Sequence, residues 1–309
     1  MAGQVLRNER GQVMGGKPEH GMSTLVRRQL GRALRDARQA LGYTLEQVAE
    51  AMETSRSTLG RLELGQNEKI RGREIEGLCR FYGLSDERTE YLKSLVAQAH
   101  TKSWWQAHRQ LVLPEFNAYL EMESGACELS FYQPMVIPGL LQTLDYSKAM
   151  ERPFLPTDDP ALMDQRAALR IQRSAILTRR HRPVRVEFLL HEAVPLTSAV
   201  PDRMMAAQLR HVADMGTREN VTVRIVPFAA GFPTGAPVSP YIILDFAPDL
   251  RGITEPPVVY TENTIGTMVF EEVDDVERFR QIHERLRTAA LDERATRDLL
   301  RRLARRYEQ

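Results

Sequence analysis

Thr44-Leu-Glu-Gln-Val-Ala-Glu-Ala-Met-Glu-Thr-Ser-Arg-Ser-Thr-Leu-Gly-Arg-Leu-Glu-Leu-Gly65 reads as two short helices joined by a tight turn. Thr44 with Gln47 three residues on forms a capping box, because the hydroxyl accepts from the third helical N–H while the amide reaches back. Leu45, Val48, Ala49 and Met52 then recur three and four apart, so they share one face. Ser55 caps the second helix, Leu59 and Leu62 face inward one turn apart, and Gly65 supplies the left-handed residue that ends it. The polar outer face keeps Arg56, Ser57, Gly60 and Arg61. Arginine matches the paired acceptors of guanine, serine donates or accepts, and Gly60 admits close approach to DNA. A solvated helix face is the ordinary alternative, and the flanking sequence weighs against it.

Upstream, Leu30, Leu34, Ala37 and Leu41 make an inward stripe that Gly42 stops; downstream, Ile75, Leu78, Cys79 and Tyr82 make another, ended by Gly83. Ser85, Asp86 and Glu87 open a further helix carrying Leu92, Leu95 and Val96. Five short helices in this span fit one compact module. Arg27, Arg28, Arg32, Arg35 and Arg38 face only Asp36, which makes the entry helix locally basic, although the whole chain carries 42 basic and 41 acidic side chains. Phosphate attraction depends on where charge lies, so near-neutrality does not exclude DNA.

The module resembles the lambda-repressor-like, or XRE-family, DNA-binding domain over residues 24–99, on Leu41-Gly-Tyr-Thr-Leu-Glu-Gln-Val-Ala49 and Ser55-Arg-Ser-Thr-Leu-Gly-Arg-Leu-Glu-Leu-Gly65. The resemblance implies that Arg56 and Ser57 meet base edges, that Thr58 lies nearer the phosphate backbone, and that Arg61 reaches one turn deeper. Thr44, Gln47 and Ser55 join them as expected DNA-binding residues. Two departures stand out: Leu45 where the family often has a phosphate-contacting Gln, and Glu53 where the turn commonly has Gly.

At 309 residues the chain has room for a second domain. No run is long and apolar enough to span a bilayer, and the N-terminus lacks a signal-peptide core, so the protein is expected in the cytoplasm, associated with the nucleoid. Cys79 and Cys127 are read as core residues. Residues 1–23, rich in Gly and charge, are expected to be a disordered tail, with Met22 an alternative translation start. Gly11, Gly16 and Lys17 imitate a phosphate loop, but Pro18 replaces the magnesium-binding Ser or Thr and no strand precedes it.

The expected organisation is multidomain: the tail, an all-α five-helix DNA-binding domain over 24–100, an α+β regulatory domain over 101–290, and a C-terminal helix over 291–309. Trp104 and Trp105 are read as core anchors. A long arginine-rich helix is expected at 161–180, strands at 185–190, 221–226, 241–246, 258–260 and 268–270, a helix at 202–215, and helices at 273–290 and 292–307. No alternating βαβ repeat is visible.

Val136-Ile-Pro-Gly-Leu-Leu-Gln-Thr143, with Arg166, Arg170 and Gln172, His191-Glu-Ala-Val194, Gln208-Leu209, Val226-Pro227, Gly231 and Val258-Val-Tyr-Thr-Glu262, resembles the C-terminal domain of a group of actinobacterial XRE regulators. That group includes WhiJ-like developmental regulators and antitoxin-like proteins. The resemblance spans 104–285 and implies a sensing, dimerising or partner-binding domain, commonly working with a small protein from a neighbouring gene. Pro138 and Gly139 fix a turn that reads first as a core turn; the sharper alternative is that Leu140 and Leu141, consecutive apolar residues after it, present a surface to a partner. Arg166, Arg170 and Arg173 share a helix face that is either solvated or takes an acidic partner.

No catalytic, metal or cofactor site is expected. His191-Glu192 lacks the second histidine of a zinc-protease helix, Glu262, Glu271 and Glu272 form no motif, and there is no Gly-x-Ser-x-Gly elbow. The expected function is a sequence-specific transcriptional regulator that binds double-stranded operator DNA as a homodimer. Two alternatives stand beside it: an antitoxin-like protein that neutralises a small partner and autoregulates through DNA, and an enzyme tethered to DNA.

Overall fold

The computed structural model describes residues 24–67, 70–98, 111, 114–153, 159–180, 183–197, 200–248, 254–263 and 266–309. The tail at 1–23, the phosphate-loop imitation, Met22 and the Trp104–Trp105 pair lie outside these residues. The chain divides into two compact units, the first ending at Ala107 apart from a short contribution by Leu120–Met122. No described helix is long and apolar enough to cross a membrane.

Helices fill the first unit: α1 (Thr24–Ala40), α2 (Leu45–Ala51), α3 (Arg56–Glu63), α4 (Gly72–Phe81) and α5 (Asp86–Gln98). Its core gathers Leu30, Leu34, Val48, Ala49, Leu59, Leu62, Ile75, Leu78, Cys79, Leu92, Leu95 and Val96. These are the residues that 3.6-residue periodicity places on inward faces. Leu41 departs from its stripe: α1 stops at Ala40, Gly42 turns the chain at φ 72°, and Leu41 is left 50% exposed.

Helices α1 and α3 cross at Gly31. A Cβ there would stand 2.5 Å from the Leu62 carbonyl oxygen and 2.6 Å from that of Glu63, and backbone cannot swing aside as a side chain can. Gly31→Ala would gain roughly 1 kcal/mol of helix propensity and lose about 2–3 kcal/mol to overpacking. The clash wins. We expect a net loss of about 1–2 kcal/mol, read as a lower urea midpoint at unchanged slope; a variant as stable as the parent would show that the crossing is not tight.

A buried ion pair closes the same region. Arg38 Nε and Nη2 donate to the two carboxylate oxygens of Glu63 at 2.7 and 2.8 Å, and Nη1 donates to the Tyr43 carbonyl at 2.8 Å. This fork ties the end of α1 to the end of α3 and to the turn before α2. Arg38 and Arg28 are buried, so neither belongs to the exposed basic stripe expected on α1. Spacing alone could not separate them from Arg32 and Arg35.

The second unit is a six-stranded mixed sheet with helices. Helix α6 (Pro114–Gly125) runs into β1 (Ala126–Gln133); α7 (Leu144–Glu151) and α8 (Pro160–Ser174) lead to β2 (Arg185–His191); α9 (Ala193–Leu196) and α10 (Asp202–Met215) lead to β3 (Val221–Val226). Then come β4 (Tyr241–Phe246), β5 (Val258–Asn263), β6 (Gly266–Phe270), α11 (Val273–Ala289) and α12 (Glu293–Arg306). Strand order is β3-β2-β1-β4-β5-β6, parallel among β1, β2 and β3 and antiparallel from β1 through β4 and β5 to β6. Strand β1 is therefore the seam between the two patterns.

Two consecutive βαβ crossovers are present, contrary to the sequence reading, which lacked β1. Glu128, Ser130 and Gln133 interrupt its apolar run, and each is only half-buried. Cys127 sits at a register shift between Ala126 and Glu128 and is exposed, not core. The helix expected at 161–180 ends at Ser174 and tightens into a 3-10 turn, Ala175–Leu177. The final helix is built into this unit: Ile225 N donates to Thr296 Oγ1 at 3.1 Å, and Ala304 is fully buried.

Alternation assigns the two faces of the sheet. Tyr132, Leu189, Tyr241, Ile243 and Val259 pack with Val276 and Leu286 of α11. On the other face, register aligns Phe131, Phe188, Ile242 and Tyr260 across four strands. Tyr119 of α6 stacks on Tyr260 with ring centroids 4.5 Å apart.

Candidate nucleic-acid interface

Local hydrogen bonds start both helices of the helix-turn-helix. Gln47 N donates to Thr44 Oγ1 at 3.2 Å while Thr44 N donates to Gln47 Oε1 at 2.8 Å, completing the capping box. Thr58 N donates to Ser55 Oγ at 3.0 Å, and the two hydroxyls lie 2.8 Å apart. The side chains of Thr44, Gln47, Ser55 and Thr58 thus set the helix starts. Glu53 takes φ 51° in the turn between them, the left-handed conformation expected where glycine would sit more cheaply.

Leu59 and Leu62 bury one face of α3, which leaves Arg56, Ser57 and Arg61 exposed on the other. Gly60 lies between them; an added Cβ would meet only Leu45 Cδ1 at 3.9 Å, so the fold itself does not require glycine there. Arg56 Nε reaches Glu46 Oε1 at 2.8 Å, with the two side chains 70% and 57% exposed. An ion pair so open to water contributes at most about 1 kcal/mol. It can exchange for a base or a phosphate at little cost. Glu46 was not singled out from the sequence, where a glutamate in the first turn of α2 looks only like a partner for the helix dipole.

The second unit arranges the other expected residues differently. Leu140 and Leu141, in the 3-10 turn Gly139–Leu141, are 1% and 0% exposed, which fits the core turn and corrects the alternative of a partner surface. Gln208 holds this turn from inside: its Oε1 accepts from Thr143 N at 2.7 Å and its Nε2 donates to the Leu141 carbonyl at 2.6 Å. The arginine face of α8 is also turned inward. Arg166 is ion-paired with Glu151, Arg170 Nη1 donates to Ser147 Oγ at 2.8 Å and Glu151 Oε2 at 3.2 Å, and Arg173 forks onto Glu123 at 2.9 and 2.8 Å. Neither a solvated face nor a docking face for an acidic protein fits that burial.

Burial penalises both Arg170 and Arg173 as cations. For Arg170 it prevails and lowers the pKa; for Arg173 the Glu123 carboxylate outweighs it and the pKa rises. Tyr119 donates to the same Glu123, and burial together with that carboxylate holds its phenol well above the ordinary range.

Pro138, Gly139, Arg166 and Arg170 meet at a cavity of ≈ 230 Å³, which Glu262 also lines. The buried counter-charges Glu123 and Glu151 escaped sequence reasoning, since an acidic residue inside a polar-looking helix gives no sign of its burial. His191 and Glu192 serve the backbone: His191 Nδ1 accepts from Ala193 N at 3.2 Å and Glu192 Oε2 from Phe228 N at 2.8 Å. Glu271 and Glu272 are exposed where α11 begins.

A family model described as a domain of unknown function, DUF5753, matches residues 116–302, and a helix-turn-helix domain matches residues 29–92. No curated protein and no solved structure matches the chain.

Proposed function

The chain belongs to the DUF5753 family and carries a helix-turn-helix domain ahead of it, and on that premise we propose that it is a sequence-specific transcriptional regulator of the XRE type. In this reading it acts in the cytoplasm as a homodimer on paired half-sites, and the C-terminal domain of the WhiJ-like group supplies sensing. The observation that carries it is α3: Leu59 and Leu62 anchor one face while Arg56, Ser57 and Arg61 stand exposed on the other. That is how a recognition helix presents side chains to a major groove.

Fluorescence anisotropy on DNA from the gene's own upstream region tests it. Arg56→Ala and Arg61→Ala should each weaken specific binding by about 1–3 kcal/mol, roughly five- to 150-fold, and leave a scrambled probe little changed. Equal losses on both probes would reduce these arginines to phosphate contacts. Glu46→Gln, which frees Arg56, should bind at least as tightly as the parent.

The antitoxin-like reading is favoured by one observation, the exposure of Phe228, Phe232 and Met135 around a second hollow at the ends of β1, β2 and β3. Co-purification with the product of the adjacent gene, lost in Phe232→Asp, would support it. Regulation is preferred to catalysis because the polar candidates are committed elsewhere. The buried chain from Tyr241 through His283 to Glu187 lines neither hollow.

A further inference from the structure

Around the cavity against α8, opposite charges are matched in number. Arg166 and Arg170 pair with Glu151, Arg173 forks onto Glu123, and Glu262 acts on both Arg170 and Arg173 as a third carboxylate. An ion entering here would give up its hydration for charges already engaged with one another. A neutral molecule avoids that cost.

Hydrogen bonding in the same wall is incomplete. Gln142 donates through Nε2 to the Ile137 carbonyl at 2.8 Å. That carbonyl demands a donor, so the amide orientation is fixed, and Oε1 is left buried without a partner. The Tyr260 hydroxyl, in a residue 3% exposed, makes no hydrogen bond of ordinary geometry, although Thr267 lies near enough to influence it. Gln142 follows the Gly139–Leu141 turn and Tyr260 sits on β5, yet both line this one space. Most buried polar atoms are paired, so two orphans on a single cavity mark where a polar group completes the wall.

Gly139 holds the same space open. Its φ is not left-handed, so its backbone does not call for glycine. An added Cβ would have three Arg173 atoms as its nearest neighbours, with Nη1 at 3.5 Å, an ordinary contact. The missing side chain therefore uncovers the Arg173 guanidinium, whose Nη1 takes part in neither bond to Glu123. The remaining wall is apolar, with Phe116, Phe131, Val136, Leu169 and Ile242. At ≈ 230 Å³ the space falls below the usual range of drug-sized pockets, about 300–1,000 Å³, and suits a compact molecule.

We propose that this cavity binds a compact neutral amide, primary or cyclic. Its N–H donates to Gln142 Oε1, its carbonyl accepts from the Tyr260 hydroxyl or from Arg173 under Gly139, and its apolar body lies on the aromatic and aliphatic wall. An amide suits the wall because Gln142 Oε1 can only accept and the guanidinium can only donate, so the ligand must carry both functions. A water molecule carries both as well, but leaves the apolar wall uncovered. The inference rests on the sensing reading of this domain and gives the class of molecule sensed.

The test uses the full-length protein with benzamide and 2-phenylacetamide as probes, read by thermal shift and isothermal titration calorimetry. Acetophenone keeps the carbonyl without the N–H; benzoate and phenylacetate replace the amide with a charge. At least one amide should raise Tm and bind about tenfold or more tightly than acetophenone and than its own acid, because those leave buried groups unpaired. Tyr260→Phe removes an orphan, so the free protein should be at least as stable as the parent while the amide binds about three- to tenfold more weakly. Gly139→Val keeps every charge, adds bulk over Arg173, and should lose the ligand shift. No shift with either amide would mean that water alone fills the space, and overturns the proposal. So do equal binding of acetophenone or the acids, a shift that survives Gly139→Val, and a free Tyr260→Phe protein less stable than the parent. Operator binding is measured alongside: specific binding that persists without any amide effect strikes only this proposal, and its absence strikes the regulator reading.

Discussion

Glu63→Ala unfolds the first unit more readily than any surface change, by about 3–5 kcal/mol. The cost comes chiefly from what remains, an Arg38 guanidinium buried at the α1–α3 junction with, among the described residues, the Tyr43 carbonyl alone to accept from it. Single domains are stable by roughly 5–15 kcal/mol, so this one substitution consumes much of the margin. Circular dichroism against urea measures it. The decisive comparison is the double variant Glu63→Ala with Arg38→Met, which removes both charges and should recover most of the loss, since apolar replacement of a buried pair is often neutral. A single variant as stable as the parent would mean that water reaches the pair.

Glu123→Ala has a comparable effect in the second unit, about 3–5 kcal/mol. It strips Arg173 of both hydrogen bonds to carboxylate and Tyr119 of its acceptor in one step. Arg173 also lies over the Phe116 and Tyr119 rings at 4.9 and 5.5 Å, contacts worth only about 0.5–2 kcal/mol apiece, too little to replace the carboxylate. Scanning calorimetry should show two transitions in the parent and a selective fall of one of them in the variant. Adding Arg173→Met should restore that transition. If both transitions fall together, the units do not unfold independently.

Where structure follows from short-range rules, the sequence was read well. The capping box at Thr44 and Gln47, the cap at Ser55 and the left-handed residues Gly42, Gly65 and Gly83 are local, and the inward leucines of α3 follow from spacing alone. So do β3, where apolar residues alternate with Thr222 and Arg224, and β4, whose apolar run from Tyr241 to Leu244 is continuous. Strand β1 was missed because its neighbours satisfy it on both sides, so it tolerates Glu128 and Ser130 where an edge pattern would show alternation.

Arg166 and Arg173 looked like a solvent-facing stripe because their carboxylates lie 15 and 50 residues away in sequence. No periodicity reports a counter-charge so distant. Leu140 and Leu141 could be read as core or as a partner surface for the same reason, since the Gln208 amide that draws their turn inward belongs to α10, 67 positions beyond Leu141. Among the expected DNA-binding residues, what sequence could not show was the contact of Arg56 with Glu46, which depends on the angle between two helices.

The position of β1 at the seam of the sheet also dictates the order in which this protein can be born. Among the described residues the main buried cluster of the first unit lies within residues 30–96, so most of that unit can fold soon after those residues leave the ribosome. Strand β1 emerges at residues 126–133, but its antiparallel neighbour does not exist until 241–246, about 110 residues later. At roughly 5–20 residues per second, that interval lasts on the order of 5–20 s. Throughout it one edge of a half-built parallel sheet stands unpaired, which is the condition under which nascent chains join one another. The interval between translation of β1 and of β4 is therefore when this chain most needs a chaperone.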